Sequence, residues 1–63
     1  MNKRQSAADN AYYLGARAWR EHRYDAKNPY EYLRRDSLNA YLWHAWELGY
    51  SDQQLDSTPL KPK

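Results

Sequence analysis

The sequence predicts an all-α fold: a small two-helix domain, hairpin-like, with a Pro-Tyr connecting segment and a disordered C-terminal tail. Three observations support this prediction. Small and apolar residues recur every three or four positions in two separate stretches, which is the spacing of one helix face. Asn28-Pro29 separates the two stretches, and a residue before proline is biased away from helix. The residues after Tyr50 are mostly polar, as disordered chain ends are.

The first helix is predicted over residues 7–24, after a mobile tail at 1–5 and with Ser6 as its N-cap. Its inward stripe is Ala11, Leu14, Gly15, Ala18, Trp19 and His22. The opposite face carries Tyr13, Arg17, Arg20 and Tyr24. The two-helix domain is therefore expected to begin at residue 6.

The second helix is predicted over residues 37–50, capped by Asp36 or Ser37. Its main stripe is Leu38, Tyr41, Leu42, Ala45, Trp46 and Gly49. Because this helix is apolar over more than half its circumference, one neighbouring helix cannot cover it. We expect the excess to meet a second copy of the chain or a target. The domain ends at residue 50, and residues 51–63 form the tail.

The two helices are predicted to touch through large and small apolar residues together. The expected contact set is Leu14, Ala18, Trp19, Leu38, Leu42, Ala45 and Trp46. Gly15 and Gly49 lie on the two inner stripes. Because glycine costs about 1 kcal/mol in a helix interior, its presence there indicates a close approach of the two backbones.

Composition argues for a binding protein and against an enzyme. There is no cysteine, so disulfides and thiolate sites are excluded and a reducing cytoplasm fits. His22 and His44 lack the spacing of a metal pair, and we expect no metal or cofactor. No phosphate-binding loop or nucleophile elbow is present. No apolar run is long enough to predict a membrane span, and no secretory signal is expected.

The face formed by Tyr13, Arg17, Arg20 and Tyr24 is the candidate RNA site. Arginine pairs with phosphate in a forked geometry, and a tyrosine ring can stack on an unpaired base. Residues 1–35 hold eight Lys and Arg against four Asp and Glu, so this half carries +4 while residues 36–63 carry −2. Arg34-Arg35 extends the basic surface. The alternative interpretation is an ordinary solvated helix face, with Glu21 pairing nearby.

Some of these residues also form the pattern of a known family. Gly15 is followed fourteen positions later by Pro29-Tyr30, Leu33 stands three after Tyr30, and the second helix carries Ala45-Trp46. This pattern resembles the ribosome modulation factor family and the related small fluoroquinolone-resistance proteins. Asn28 stands where the family often has a cysteine, and Ala45 replaces the usual glycine.

The resemblance implies a protein that binds the small ribosomal subunit near the 3′ end of its RNA. There it would block docking of the message and promote inactive ribosome dimers, inhibiting translation in the manner of hibernation factors. The arginines expected to contact phosphates are Arg17, Arg20, Arg23, Arg34 and Arg35. The tyrosines expected to stack are Tyr13, Tyr24 or Tyr30.

Two other functions stay open at this point. A small protein of phage or mobile-element type could bind and inhibit a host protein through its Trp/Tyr surface, with Trp43, Trp46 and Tyr50 as anchors. A weaker alternative is an enzyme of the resistance-protein kind. A homodimer is compatible with each of these functions.

Overall fold

The computed structural model describes residues 3–57, and their architecture is two long helices. Helix α1 spans Lys3–His22 and helix α2 spans Ala40–Ser57. The connecting segment, residues 23–39, contains two 3-10 turns at Arg23–Asp25 and Glu31–Leu33. No strand occurs within the described range. The predicted all-α, two-helix class with an irregular segment around Asn28-Pro29 is confirmed.

Helix α1 begins four residues earlier than expected. The prediction of a mobile tail is wrong for Lys3–Gln5, which are helical, while Met1 and Asn2 lie outside the described residues. Lysine, arginine and glutamine are good helix formers, and the Gln5 amide donates a 3.0 Å hydrogen bond to Asp9 one turn later. Ser6 therefore lies inside the helix and does not cap it.

Helix α2 continues seven residues beyond its predicted end. The expected disordered tail is wrong for residues 51–57, which are helical, and residues 58–63 lie outside the described range. The Tyr12 hydroxyl donates a 2.5 Å hydrogen bond to the Asp52 carboxylate, so α1 holds the extra turns. A polar sequence indicates exposure here, not disorder.

The start of α2 is organised by Asp36, as the sequence predicted. Its carboxylate accepts hydrogen bonds from the backbone N–H groups of Leu38, at 2.9 Å, and Asn39, at 3.2 Å. The Asn39 amide also donates to it, and this bond and the Leu38 N–H lower the pKa of the carboxyl. The regular helix begins at Ala40, two to three residues later than predicted, after a capped turn.

The two helices run in the same direction. Near their first residues, the Arg4 side chain donates to the Leu38 carbonyl and lies 4.6 Å from the centre of the Tyr41 ring. Near the end of α1, the Trp19 and Tyr50 rings pack edge to face at 5.5 Å. The connecting segment therefore runs back along the two helices to the start of α2. In a hairpin, a short turn would join the helices instead.

The core combines small residues with tryptophan. Ala11, Ala45 and Trp46 are buried together, and partly buried side chains pack around them. Those surrounding residues are Ala8, Leu14, Ala18, Ala26, Tyr30, Leu42 and Tyr50. Most of the predicted contact set is therefore found in or against this core.

Leu38 is the clear exception in the predicted contact set. Its side chain is 72% exposed, because it lies in the capped turn before α2 and not on the inner stripe. His22, expected on the inner stripe of α1, is also exposed. Trp19 is buried as expected, but its ring neighbours are Tyr24 and Tyr50.

Candidate nucleic-acid interface

Tyr13, Arg17, Arg20 and Tyr24 are all exposed, and we refer to them as the Tyr–Arg face. The first three lie on α1 and Tyr24 follows in the 3-10 turn. The spacing of Tyr13, Arg17 and Arg20 places them opposite the buried side of α1, whereas Tyr24 follows the left-handed Arg23 and packs on Trp19. The predicted exposure of all four residues is confirmed, but the prediction that Tyr24 shares a helix face with the other three is wrong, because α1 ends at His22.

Arg17 is held in place by a neighbour one turn away. Its Nε donates a 2.7 Å hydrogen bond to a Glu21 carboxylate oxygen, which lowers the pKa of Glu21 and raises that of Arg17. The bond uses only Nε, so the two terminal guanidinium nitrogens make no hydrogen bond within the described residues. A phosphate can approach those nitrogens.

The C-terminal end of the Tyr–Arg face packs against Trp19. Arg23, the first residue after α1, has a left-handed backbone, φ 54°, and its guanidinium lies 5.2 Å from the centre of the Trp19 ring. The Tyr24 ring packs edge to face on the same indole at 5.0 Å while remaining 79% exposed. Trp19 thus orients two candidate RNA contacts, and its own buried Nε1–H has no hydrogen-bond partner.

Arg34 and Arg35 form a separate basic region. Arg34 donates to Glu31 at 3.1 Å and lies 5.6 Å from the Trp43 ring centre, beside the first half of α2. The Trp43 indole N–H donates to the other Glu31 oxygen at 3.0 Å, and both bonds lower the pKa of Glu31. Arg35 is exposed. The structure therefore divides the predicted arginines between two surfaces.

Tyr30 is not on either basic surface. It is partly buried against the core cluster, so its predicted role in stacking on a base does not fit this position. Its backbone N–H donates to the Asn28 side-chain oxygen at 2.8 Å. The Asn28 amide donates to the Trp43 carbonyl at 3.2 Å and to Glu47 at 3.0 Å. Asn28, which the sequence predicts as a turn residue, ties the connecting segment to α2.

The alternative aromatic interface is mostly internal. Trp46 is 4% exposed and stacks on Tyr50 at 5.1 Å, while the Tyr50 hydroxyl donates to the Arg23 carbonyl. Trp43 is half-buried. The prediction that Trp46 anchors a partner is therefore wrong, because its ring fills the contact between the helices.

A different apolar surface on α2 remains open to solvent. Leu48 is 56% exposed and Leu55 69%, and both lie at intervals of seven residues from Tyr41, with His44 on the same side. We refer to the exposed residues His44, Leu48 and Leu55 as the outer face of α2; Tyr41 is half-buried and lies beneath Arg4 of α1. Leu48 and Leu55 were not predicted as surface residues, although their seven-residue spacing can be read from the sequence.

Two grooves flank the helix pair. One, of about 430 Å³, lies on the side away from the connecting segment and includes Tyr12, Asp52 and Asp56. The other, about 290 Å³, lies between α1 and the connecting segment. Its lining residues are Leu14, Arg17, Ala18, Glu21, His22, Ala26, Lys27, Pro29 and Trp46.

Within residues 3–57, no three His, Cys, Asp or Glu side chains come together as a metal site. Neither of the two helices has the length and apolar character needed to cross a membrane. No protein-family model, curated protein or solved structure matches the chain.

Proposed function

We propose that this protein binds RNA through the Tyr–Arg face, and that its target is the RNA of the small ribosomal subunit. The observation that carries the proposal is the exposure of Tyr13, Arg17 and Arg20 along one side of α1, with the exposed Tyr24 just beyond the end of the helix. An extended RNA strand lying along this face meets a tyrosine ring, then two arginines, then a second tyrosine ring. This combination suits unpaired RNA because every base offers a flat ring and every linkage a charge.

The ribosomal target rests on the resemblance to ribosome modulation factors carried by Gly15, Pro29-Tyr30 and Leu33. Binding near the 3′ end of the small-subunit RNA would inhibit translation by blocking access of the message. Arg34 and Arg35 supply a second basic region that could contact the same RNA at a distance from the Tyr–Arg face.

The salt dependence of binding to small ribosomal subunits tests this proposal. Each phosphate contact releases counterions, so the logarithm of affinity falls with the logarithm of salt by about 0.7 per contact for single strands. The double variant Arg17→Ala, Arg20→Ala should flatten this slope by about 1.4. Its helical circular dichroism should stay unchanged, because both side chains are exposed.

The single variants Lys3→Ala and Arg20→Ala form a matched pair, since each removes one positive charge from α1. Lys3→Ala is the control. Only Arg20→Ala should reduce the slope, because Lys3 lies in the first turn, away from the Tyr–Arg face. A double variant that binds subunits with the parent's affinity and slope would exclude the Tyr–Arg face as the RNA site.

A second candidate function is inhibition of a host protein, favoured by the exposed leucines on the outer face of α2. In this case binding is tolerant of salt and resistant to RNase, because apolar contacts carry it. Leu48→Lys with Leu55→Lys should then abolish binding, while Arg17→Ala with Arg20→Ala should leave it intact. Capture from a lysate with and without RNase, using both double variants, separates the two functions.

A further inference from the structure

The 290 Å³ groove beside α1 combines an apolar wall with a charged rim. Its wall includes Leu14, Ala18 and Pro29, drawn from α1 and the connecting segment. Arg17, His22, Lys27 and Glu21 stand among the lining residues. Arg17 belongs both to this groove and to the Tyr–Arg face, so one surface leads into the other. We refer to this site as the Arg17 groove.

The size and charge of the Arg17 groove restrict what it can hold. Small-molecule sites usually begin at about 300 Å³, so this groove has room for a single ring system. The cations of Arg17 and Lys27 favour an anion at the rim. A flat base joined to a phosphate has both of the required properties.

We propose that the Arg17 groove binds one unpaired nucleotide of the RNA, a proposal that rests on the function proposed above. The base lies against Leu14, Ala18 and Pro29. Its phosphate is bound by Lys27 and by the free terminal nitrogens of Arg17. A strand that follows the Tyr–Arg face thereby turns one nucleotide into the groove at Arg17.

Glu21 gives the Arg17 groove a preference among bases. Its Oε2 accepts the hydrogen bond from Arg17, while Oε1 has only a distant neighbour, His22 Nε2 at 4.0 Å. A carboxylate accepts a hydrogen bond from an exocyclic amino group, such as that of cytosine, and repels a carbonyl oxygen. Uracil carries a carbonyl where cytosine carries its amino group. The groove therefore selects cytosine over uracil.

Binding of short oligocytidylate and oligouridylate to the full chain, followed by fluorescence anisotropy at low salt, tests the proposal. The two probes carry equal charge, so a purely electrostatic surface binds them alike. We expect the parent to bind oligocytidylate about fivefold more tightly, or better, which corresponds to one specific base contact. Glu21→Ala should bring the ratio of the two affinities close to one.

Two further variants control for charge. Lys27→Ala should weaken both oligonucleotides, whereas Lys3→Ala, which removes the same charge elsewhere, should weaken them less. Equal affinities of the parent for oligocytidylate and oligouridylate, or a preference for oligocytidylate that persists in Glu21→Ala, would contradict nucleotide binding in the Arg17 groove. Either result would leave RNA binding by the Tyr–Arg face unaffected. Failure of both oligonucleotides to bind would overturn the groove together with RNA binding.

Discussion

Gly15 and Gly49 lie where the backbones of α1 and α2 come closest. A Cβ atom built on Gly15 would stand 2.0 Å from the Trp46 carbonyl oxygen, and one on Gly49 would stand 1.9 Å from that of Tyr12. Each glycine thus accommodates the main chain of the opposite helix. The sequence predicted this close approach from two glycines on the inner stripes, and the structure confirms it.

Gly15→Ala should destabilise the fold, although alanine is the better helix former by about 1 kcal/mol. The new methyl group would meet backbone atoms of α2, which cannot rotate away, so the helices must separate. Overpacking of this kind costs about 1–3 kcal/mol or more, and we expect a net loss of about 2 kcal/mol in urea unfolding. Asn10→Ala, on the exposed side of α1, is the control and should stabilise slightly. Equal midpoints for Gly15→Ala and the parent would contradict the close approach.

Asp36 makes the fold sensitive to acid. Its pKa is lowered by hydrogen bonds from the Asn39 amide and the Leu38 N–H, so the folded state favours the carboxylate. The resulting stabilisation is complete above the unfolded pKa of about 3.9 and is lost as pH falls through the lower, folded value. Asp36→Asn keeps an oxygen that can cap the turn but cannot titrate.

The difference in unfolding free energy between the parent and Asp36→Asn should therefore shrink as the solution is acidified. Chemical unfolding followed by circular dichroism, repeated from neutral pH to below about pH 3, measures this difference. Tyr13→Phe, a change on the exposed face of α1, serves as the control and should show no such trend. A difference that stays constant with pH would show that the Asp36 charge does not stabilise the cap.

At the scale of the elements, Trp46 joins α1, α2 and the Arg17 groove. It is 4% exposed and packs with Ala11 and Ala45, with Tyr50 stacked on its ring. Replacing a buried tryptophan by alanine costs about 3–5 kcal/mol. The total stability of a chain this short is of similar size, so we expect Trp46→Ala to abolish cooperative unfolding.

Leu38→Ala is the matching control for Trp46→Ala. The sequence placed both residues in the helix contact, but the structure exposes Leu38. We expect a change within about 0.5 kcal/mol for Leu38→Ala, as for other surface substitutions. Thermal melts of the two variants test whether the core contains Trp46 but not Leu38. A Trp46→Ala melt like that of the parent would contradict this core.

The helices themselves could be predicted because their periodicity is local. The inner stripe of α1 and the cap at Asp36 follow from residue types at fixed spacings. The extra turns at the ends could not be predicted in this way. The Asp52 carboxylate accepts from Tyr12, forty positions away in the chain, and no local pattern reveals such a bond. The relative direction of α1 and α2 depends on equally distant contacts.

The candidate site also has features that local sequence patterns predict and features that depend on distant contacts. The shared exposed face of Tyr13, Arg17 and Arg20 follows from helical spacing alone, whereas the position of Tyr24 depends on the left-handed backbone of Arg23. The separation of Arg34 from Arg17, and the burial of Tyr30, depend on how the connecting segment packs. Asn28 decides that packing through its bonds to Trp43 and Glu47. The Arg17 groove combines residues from α1, the connecting segment and α2, and therefore has no signature in any one of them.

At the scale of the whole molecule, the outer face of α2 is the exposed apolar surface that we expect to be buried by association. Leu48 and Leu55 expose apolar side chains on a domain that buries few others completely. We expect the melting midpoint to rise with protein concentration, because association through this face stabilises the folded state by mass action. Melts over about a hundredfold range of concentration measure the effect.

Leu48→Lys with Leu55→Lys should remove that concentration dependence while leaving the helix content intact. Arg17→Ala with Arg20→Ala, on the other helix, should retain it. A parent midpoint independent of concentration would show that copies of the chain do not associate through the outer face of α2.

The common direction of the two helices has a kinetic consequence. The side-chain contacts that join α1 to α2 and to the capped turn before it link residues far apart in the chain: 34 positions for Arg4 and Leu38, and 40 for Tyr12 and Asp52. A helical hairpin can zip outward from its turn, whereas here a long loop must close before the helices meet. The bond from Asn28 to the Trp43 carbonyl spans only 15 positions and closes more readily. Folding should therefore start by laying the connecting segment on α2, and it should be slower than that of a hairpin of equal length.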